Sequence, residues 1–188
     1  MNHERSDMKS LNWRMGRLQR FAQWLFLILL LLANEQVGAN PLIPANSYDA
    51  HIRNLLLSGK VPDALSYAKE HYGRVPAFLE RYAAAFTGEN QQVGRCQEVA
   101  KTLHAGLSRL GGNAEYLAIK VNWDYLGFRL LDGKEKTISH TGYHVVVRVG
   151  DMVYDAYTGT AGMRLSEYLS RLIHPAAASL QVVVVSKP

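Results

Sequence analysis

Apolar residues recur along this chain at two different periods, and the change of period divides it into a helical first half and a strand-rich second half. Tyr48, Ile52, Leu55 and Leu56 fall at helical spacing before Ser58-Gly59. Pro62 fits the first turn of a second helix, which carries Leu65, Tyr67 and Ala68 toward Tyr72-Gly73. A third begins at Pro76, carries Phe78, Leu79, Tyr82, Ala83 and Phe86, and stops at Gly88. After a polar loop over 89–94, Cys96, Val99, Ala100, Leu103, Leu107 and Leu110 mark a fourth helix ended by Gly111-Gly112. Cys96 therefore sits in or just before that helix's first turn.

Beyond Gly112 the period shortens to two. Residues 114–121 read as a strand, 122–132 as a hairpin with an aromatic tip (Trp123, Tyr125, Phe128), and 133–141 as a polar loop. Residues 143–149 alternate strongly, Gly150-Asp151 is a turn signal, and 152–157 return as the second arm of a hairpin. Residues 165–173 read as a short helix and 180–186 as a buried final strand. Helices followed by antiparallel strands predict an α+β fold: a Cys-bearing helix on an antiparallel sheet, preceded by a small helical segment. No internal repeat interrupts this plan.

The N-terminal stretch belongs to none of these elements. Residues 21–33 are almost purely apolar, shorter than the roughly 18 or more expected of a spanning helix, and follow a head containing Arg5, Lys9, Arg14, Arg17 and Arg20. Val37-Gly38-Ala39 supplies small residues at a cleavage position, which predicts a signal peptide over 1–39. An uncleaved inner-membrane anchor is the alternative, since the head is long and basic. In either case the body is exported, to the periplasm or outside, and meets the membrane only through this segment. The expected organisation is then 1–39 leader, 40–90 helical segment and 91–188 catalytic domain. The formal net charge of +5 rests heavily on the basic head, so the body is only mildly basic and no nucleic-acid partner is expected.

A single cysteine excludes an internal disulfide and any zinc site with more than one thiolate. A thiol becomes a nucleophile when ionised, and both a helix N-terminus and an adjacent imidazolium favour the thiolate. The sequence offers both: Cys96 opens a helix, and His144 heads a strand whose ring can face it. Asp155, on the return arm, comes roughly opposite the start of that strand and can hold the imidazole tautomer. Cys96, His144 and Asp155 are thus the candidate catalytic residues. Charge developing on a substrate carbonyl needs a donor, for which the Cys96 backbone N–H, Gln91 and Gln92 are candidates. A His140–His144 metal pair lacks further ligands at convincing spacing, and Gly111-Gly112 follows a helix instead of opening one, so neither a metal nor a phosphate-bearing cofactor is expected.

Three segments carry a family resemblance: Gly94-Arg95-Cys96-Gln97-Glu98-Val99-Ala100, Thr141-Gly142-Tyr143-His144-Val145-Val146-Val147, and Gly150-Asp151-Met152-Val153-Tyr154-Asp155. Together they resemble the papain-fold toxin domains of bacterial polymorphic toxins. More loosely, they are similar to transglutaminase-like cysteine proteins, with the same Cys, His, Asp order. The resemblance covers roughly 92–173. It departs from the toxin pattern where Ala156 follows Asp155, a place often held by Asn in that family. It implies a papain-like core in which Cys96 is the nucleophile, His144 the general base and acid, and Asp155 the orienting residue. The implied function is a thiol enzyme acting on carboxamide or peptide bonds through a thioester: a protease, a glutamine deamidase or a transglutaminase. A toxin effector with a protein substrate and a cognate immunity protein is the implied setting. The competing expectation is a catalytically silent module of the same fold, used for binding at the cell envelope.

Overall fold

The computed structural model describes residues 47–188. The leader read over 1–39 lies outside the described residues. Among the described residues, no helix is long and apolar enough to cross a membrane.

Among the described residues, four helices precede the first strand: α1 (Ser47–Leu57), α2 (Val61–Tyr72), α3 (Ala77–Ala84) and α4 (Cys96–Arg109). Pro62 lies in the first turn of α2, where its missing N–H costs nothing, and Gly73 ends the helix in the left-handed region. Pro76 caps α3, and a single 3-10 turn (Gly88–Asn90) follows in the loop leading to Cys96. The buried stripe of α4 is Val99, Ala100, Leu103, Gly106 and Leu107, close to the one read from its periodicity.

Eight strands of the described residues form two antiparallel sheets. The larger has the order β6-β5-β4-β1-β8, with β1 (Glu115–Val121), β4 (Tyr143–Val149), β5 (Met152–Tyr154), β6 (Met163–Arg164) and β8 (Leu180–Val185). The smaller has the order β3-β2-β7, with β2 (Leu126–Arg129), β3 (Glu135–Ser139) and β7 (Leu172–Ile173). A short helix, α5 (Leu165–Ser170), connects β6 to β7. The protein is α+β, as the change of period predicts.

Four local expectations are corrected. The return arm read over 152–157 ends at Tyr154, and 156–158 form a turn. The 122–132 hairpin is displaced: its arms are β2 and β3, and its turn falls at Asp132-Gly133, so most of the expected 133–141 loop is strand. The aromatics of its expected tip part company: Phe128 is fully buried and Trp123 is 54% exposed. The expected 165–173 helix ends at Ser170, and Leu172 and Ile173 pair with β2 instead. Finally, β8 pairs only with β1 at the sheet edge, which leaves Val183 and Val184 half exposed on a strand read as buried.

One apolar core joins helices and sheets. Ile52 and Leu56 of α1, Leu79 and Tyr82 of α3, and Leu103 and Leu107 of α4 belong to the same buried cluster as Leu117, Ile119, Val145 and Val147. Polar ties reinforce it: Arg53 donates to the carbonyls of Leu110 and Gly111 at the end of α4, and the Tyr154 hydroxyl donates to Leu57 O. The central strand β4 is covered on both faces from His144 to Val147, beyond the half-burial its alternation implies. That burial removes the imidazole from water.

Candidate active site

Three pieces of local structure bring the site together. The first is the entry to α4. Cys96 is its first residue, so its N–H is among the four at a helix start that have no intrahelical partner, and the positive end of the helix dipole faces the thiol. Cys96 is only partly buried.

The second is the turn into β4. Gly142 adopts φ +66, and a Cβ there would collide with the carbonyl oxygens of Val121 and Trp123, so glycine alone fits. Val121 N–H bonds Gly142 O at 2.8 Å, which fixes where β4 starts. From that start the register places His144 opposite Ile119. The ring is fully buried.

The third is the end of β5. Gly150-Asp151 forms the two-residue turn, and Val147 pairs with Tyr154. Asp155 follows immediately and projects to the same side as His144, because residues opposite one another on antiparallel strands share a face. Thr158 locks it there: its hydroxyl donates to Asp155 O at 2.9 Å and accepts from Asp155 N–H at 3.1 Å.

His144 Nε2 then lies 2.9 Å from Asp155 Oδ2, both groups being shut away from water. A carboxylate only accepts, so the ring proton resides on Nε2 and a neutral imidazole presents Nδ1 as the base. That Nδ1 is buried and makes no hydrogen bond of good geometry. The groups acting on the ring are Asp155 and the Cys96 thiol. Burial opposes the imidazolium, yet the Asp155 charge and hydrogen bond, with the thiol added, push its pKa up to about 9. Cys96 moves the opposite way. Burial would raise its pKa, but the His144 ring and the Val145 backbone N–H outweigh burial and hold the thiol below its usual range. Opposite shifts in two neighbouring groups describe a thiolate–imidazolium pair.

The sequence-predicted residues fare differently. Cys96, His144 and Asp155 come together. Gln91 joins their margin: half-buried, it donates through Nε2 to Ala156 O at 2.9 Å, tying the loop before Cys96 to the turn after Asp155. Gln92 is exposed, and its carbonyl accepts the Arg95 N–H. His140 is exposed in the loop before β4, and His104 stacks on Tyr116 at 4.2 Å. At Ala156, where the resembling family often has Asn, the backbone N–H donates to Asp155 Oδ1 at 2.6 Å.

Two tyrosines were not foreseen. The hydroxyl of Tyr168, on α5, donates to Asp155 Oδ2 at 2.9 Å, so that oxygen accepts from both His144 and Tyr168. Tyr157, within the turn that holds Asp155, places its ring 6.3 Å from that of His144. Neither has a motif spacing that announces it. Tyr168→Phe is expected to cost about 1.5–3 kcal/mol in urea denaturation, the usual worth of a hydrogen bond to a charged group. A loss under about 0.5 kcal/mol, the range of an ordinary surface substitution, would show that the bond contributes little.

Compared with protein-family models, curated proteins and solved structures, the chain matches none. The functional reading therefore rests on the site itself and on the sequence resemblance.

Proposed function

We propose that the protein is a thiol-dependent enzyme with a papain-like or transglutaminase-like core, acting on carboxamide or peptide bonds through a Cys96 thioester. The observation that carries this reading is the polarity of the His144 ring: Nε2 is engaged by Asp155, and buried Nδ1, with no hydrogen bond of good geometry, is left to the Cys96 thiol, the other group acting on the ring. A buried histidine held only for packing would have its second nitrogen bonded to the backbone or to another side chain. In the proposed reaction the Cys96 sulfur attacks the carbonyl carbon, and the C=O electron pair moves onto oxygen. Collapse breaks the C–N bond, and the leaving amine takes the proton from His144 Nδ1. Water or an amine then attacks the thioester as His144 Nδ1 takes its proton, and the C–S bond breaks, releasing the acyl product and restoring the Cys96 thiolate. The resemblance to papain-fold toxin domains extends the proposal to a protein substrate, an effector role and a cognate immunity protein.

Capture of the intermediate tests the proposal. With 4-nitrophenyl acetate at pH 6, intact-protein and peptide mass spectrometry should find one acetyl group, on Cys96, formed faster than on free cysteine at the same pH. Acetylation confined to lysines, with Cys96 unmodified, would count against it.

A further inference from the structure

Among the described residues, three buried side-chain polar atoms have no hydrogen-bond partner: Tyr82 Oη, His144 Nδ1 and Tyr157 Oη. Each such group has lost water without gaining a partner, so it calls for a reason. His144 Nδ1 is the proposed base. Tyr82 packs within the helical layer against Gly106, away from charged groups, and reads as a tolerated core hydroxyl.

Tyr157 is different. Only 5% of its surface is exposed, its ring is 6.3 Å from that of His144, and the Lys136 ammonium lies over the ring, 5.8 Å from its centroid. The oxygens of its own turn bond other groups. Asp155 Oδ2 takes His144 and Tyr168, Asp155 Oδ1 takes the Ala156 N–H, and Ala156 O takes Gln91. Tyr157 thus carries a buried donor on a ring neighbouring that of His144, and no protein group accepts from it. Burial, with the Asp155 and Cys96 charges added, pushes the phenol far above its ordinary pKa, so it keeps its proton throughout the working range. A neutral O–H that is desolvated and unpaired before reaction loses no protein hydrogen bond when an anionic acceptor forms beside it.

We infer that the Tyr157 hydroxyl is an oxyanion donor, bonding the carbonyl oxygen of the acyl substrate as Cys96 attacks. The inference rests on the thioester reading above and deepens it. As the S–C bond forms, the carbonyl electron pair moves to oxygen and Tyr157 donates a hydrogen bond to it without giving up its proton. The electron pair returns when the leaving group departs. The Cys96 N–H is available as a second donor. Gln91 Nε2 has one hydrogen committed to Ala156 O.

The test contrasts two reactions of the same sulfur in the full chain. Acylation by 4-nitrophenyl acetate passes through a tetrahedral oxyanion, with 4-nitrophenolate leaving. Alkylation by iodoacetamide displaces iodide at a methylene carbon and develops no such charge. Tyr157→Phe should slow Cys96 acylation about 10²–10³-fold, the usual loss for one oxyanion donor, while iodoacetamide alkylation keeps the wild-type rate and pH profile. Unchanged acylation would overturn the inference and leave the thiol enzyme standing. Equal losses in both reactions would also overturn it, showing that Tyr157 supports the fold or the thiolate instead. If wild-type Cys96 is acylated no faster than free cysteine, the thioester reading itself falls, and the Tyr157 inference with it.

Discussion

Cys96→Ala is expected to abolish acyl chemistry while leaving the protein folded. The argument is local. Cys96 occupies the first turn of α4, is only partly buried, and stands at the margin of a core held by Val99, Leu103 and Leu107. Alanine suits a helix start about as well as cysteine, and loss of one sulfur atom there should cost about 1 kcal/mol, on the scale of one buried methylene. The rate should fall by far more, because no other thiol exists to form the thioester. Time-resolved release of 4-nitrophenolate, alongside circular dichroism and urea denaturation, checks both halves. A folded Cys96→Ala protein that retained wild-type turnover would eliminate the enzyme reading.

His144→Ala should be nearly as damaging to turnover, with a loss of about 10²–10⁴-fold, the range for removal of a general base. It has a second consequence. His144 is fully buried beside Asp155, so its removal leaves the Asp155 carboxylate with Tyr168 and the Ala156 N–H but no cation. Stability should therefore fall too, which makes thiol reactivity the cleaner measure of the pair.

The direction of the pH effects follows from the opposite shifts. The imidazole pKa is raised to about 9 from an ordinary value of 6.5. Between those values the folded protein keeps a proton that the unfolded chain has lost. Its stabilisation is therefore fully present below 6.5 and is lost as pH rises through about 9. Cys96 is lowered from 9.0, so its contribution is present above that value and lost as pH falls through the lowered one. In the window between the lowered thiol value and about 9, the pair is thiolate and imidazolium.

Much of this was legible in the sequence wherever the code is local. The period of Cys96, Val99, Leu103 and Leu107 defines α4, and the Gly150-Asp151 turn fixes the β4–β5 hairpin and hence which side Asp155 takes. Gly142 before Tyr143-His144 marks a backbone that only glycine adopts. What escaped depends on tertiary context. β3 reads as polar loop because only Ile138 and Ser139 of its five residues are buried, although Asp132-Gly133 carries a hairpin signal. The valine run of β8 reads as buried, yet its sheet ends there. Tyr168 reaches Asp155 from a different element, and Tyr157 lies in a turn where alternation no longer predicts a face. Their roles come from which hydroxyls find partners, and no period records that.

The central claim is that His144, oriented by Asp155, holds Cys96 as a thiolate. The pH dependence of Cys96 alkylation by iodoacetamide tests it most directly, measured for the wild type and for His144→Ala protein shown to be folded. An ordinary thiol of this kind ionises at 9.0. The wild type should reach a plateau of reactivity below that value and change again near 9, where the imidazolium loses its proton. His144→Ala should give a single transition at or above the ordinary thiol range. Superimposable profiles would contradict the account.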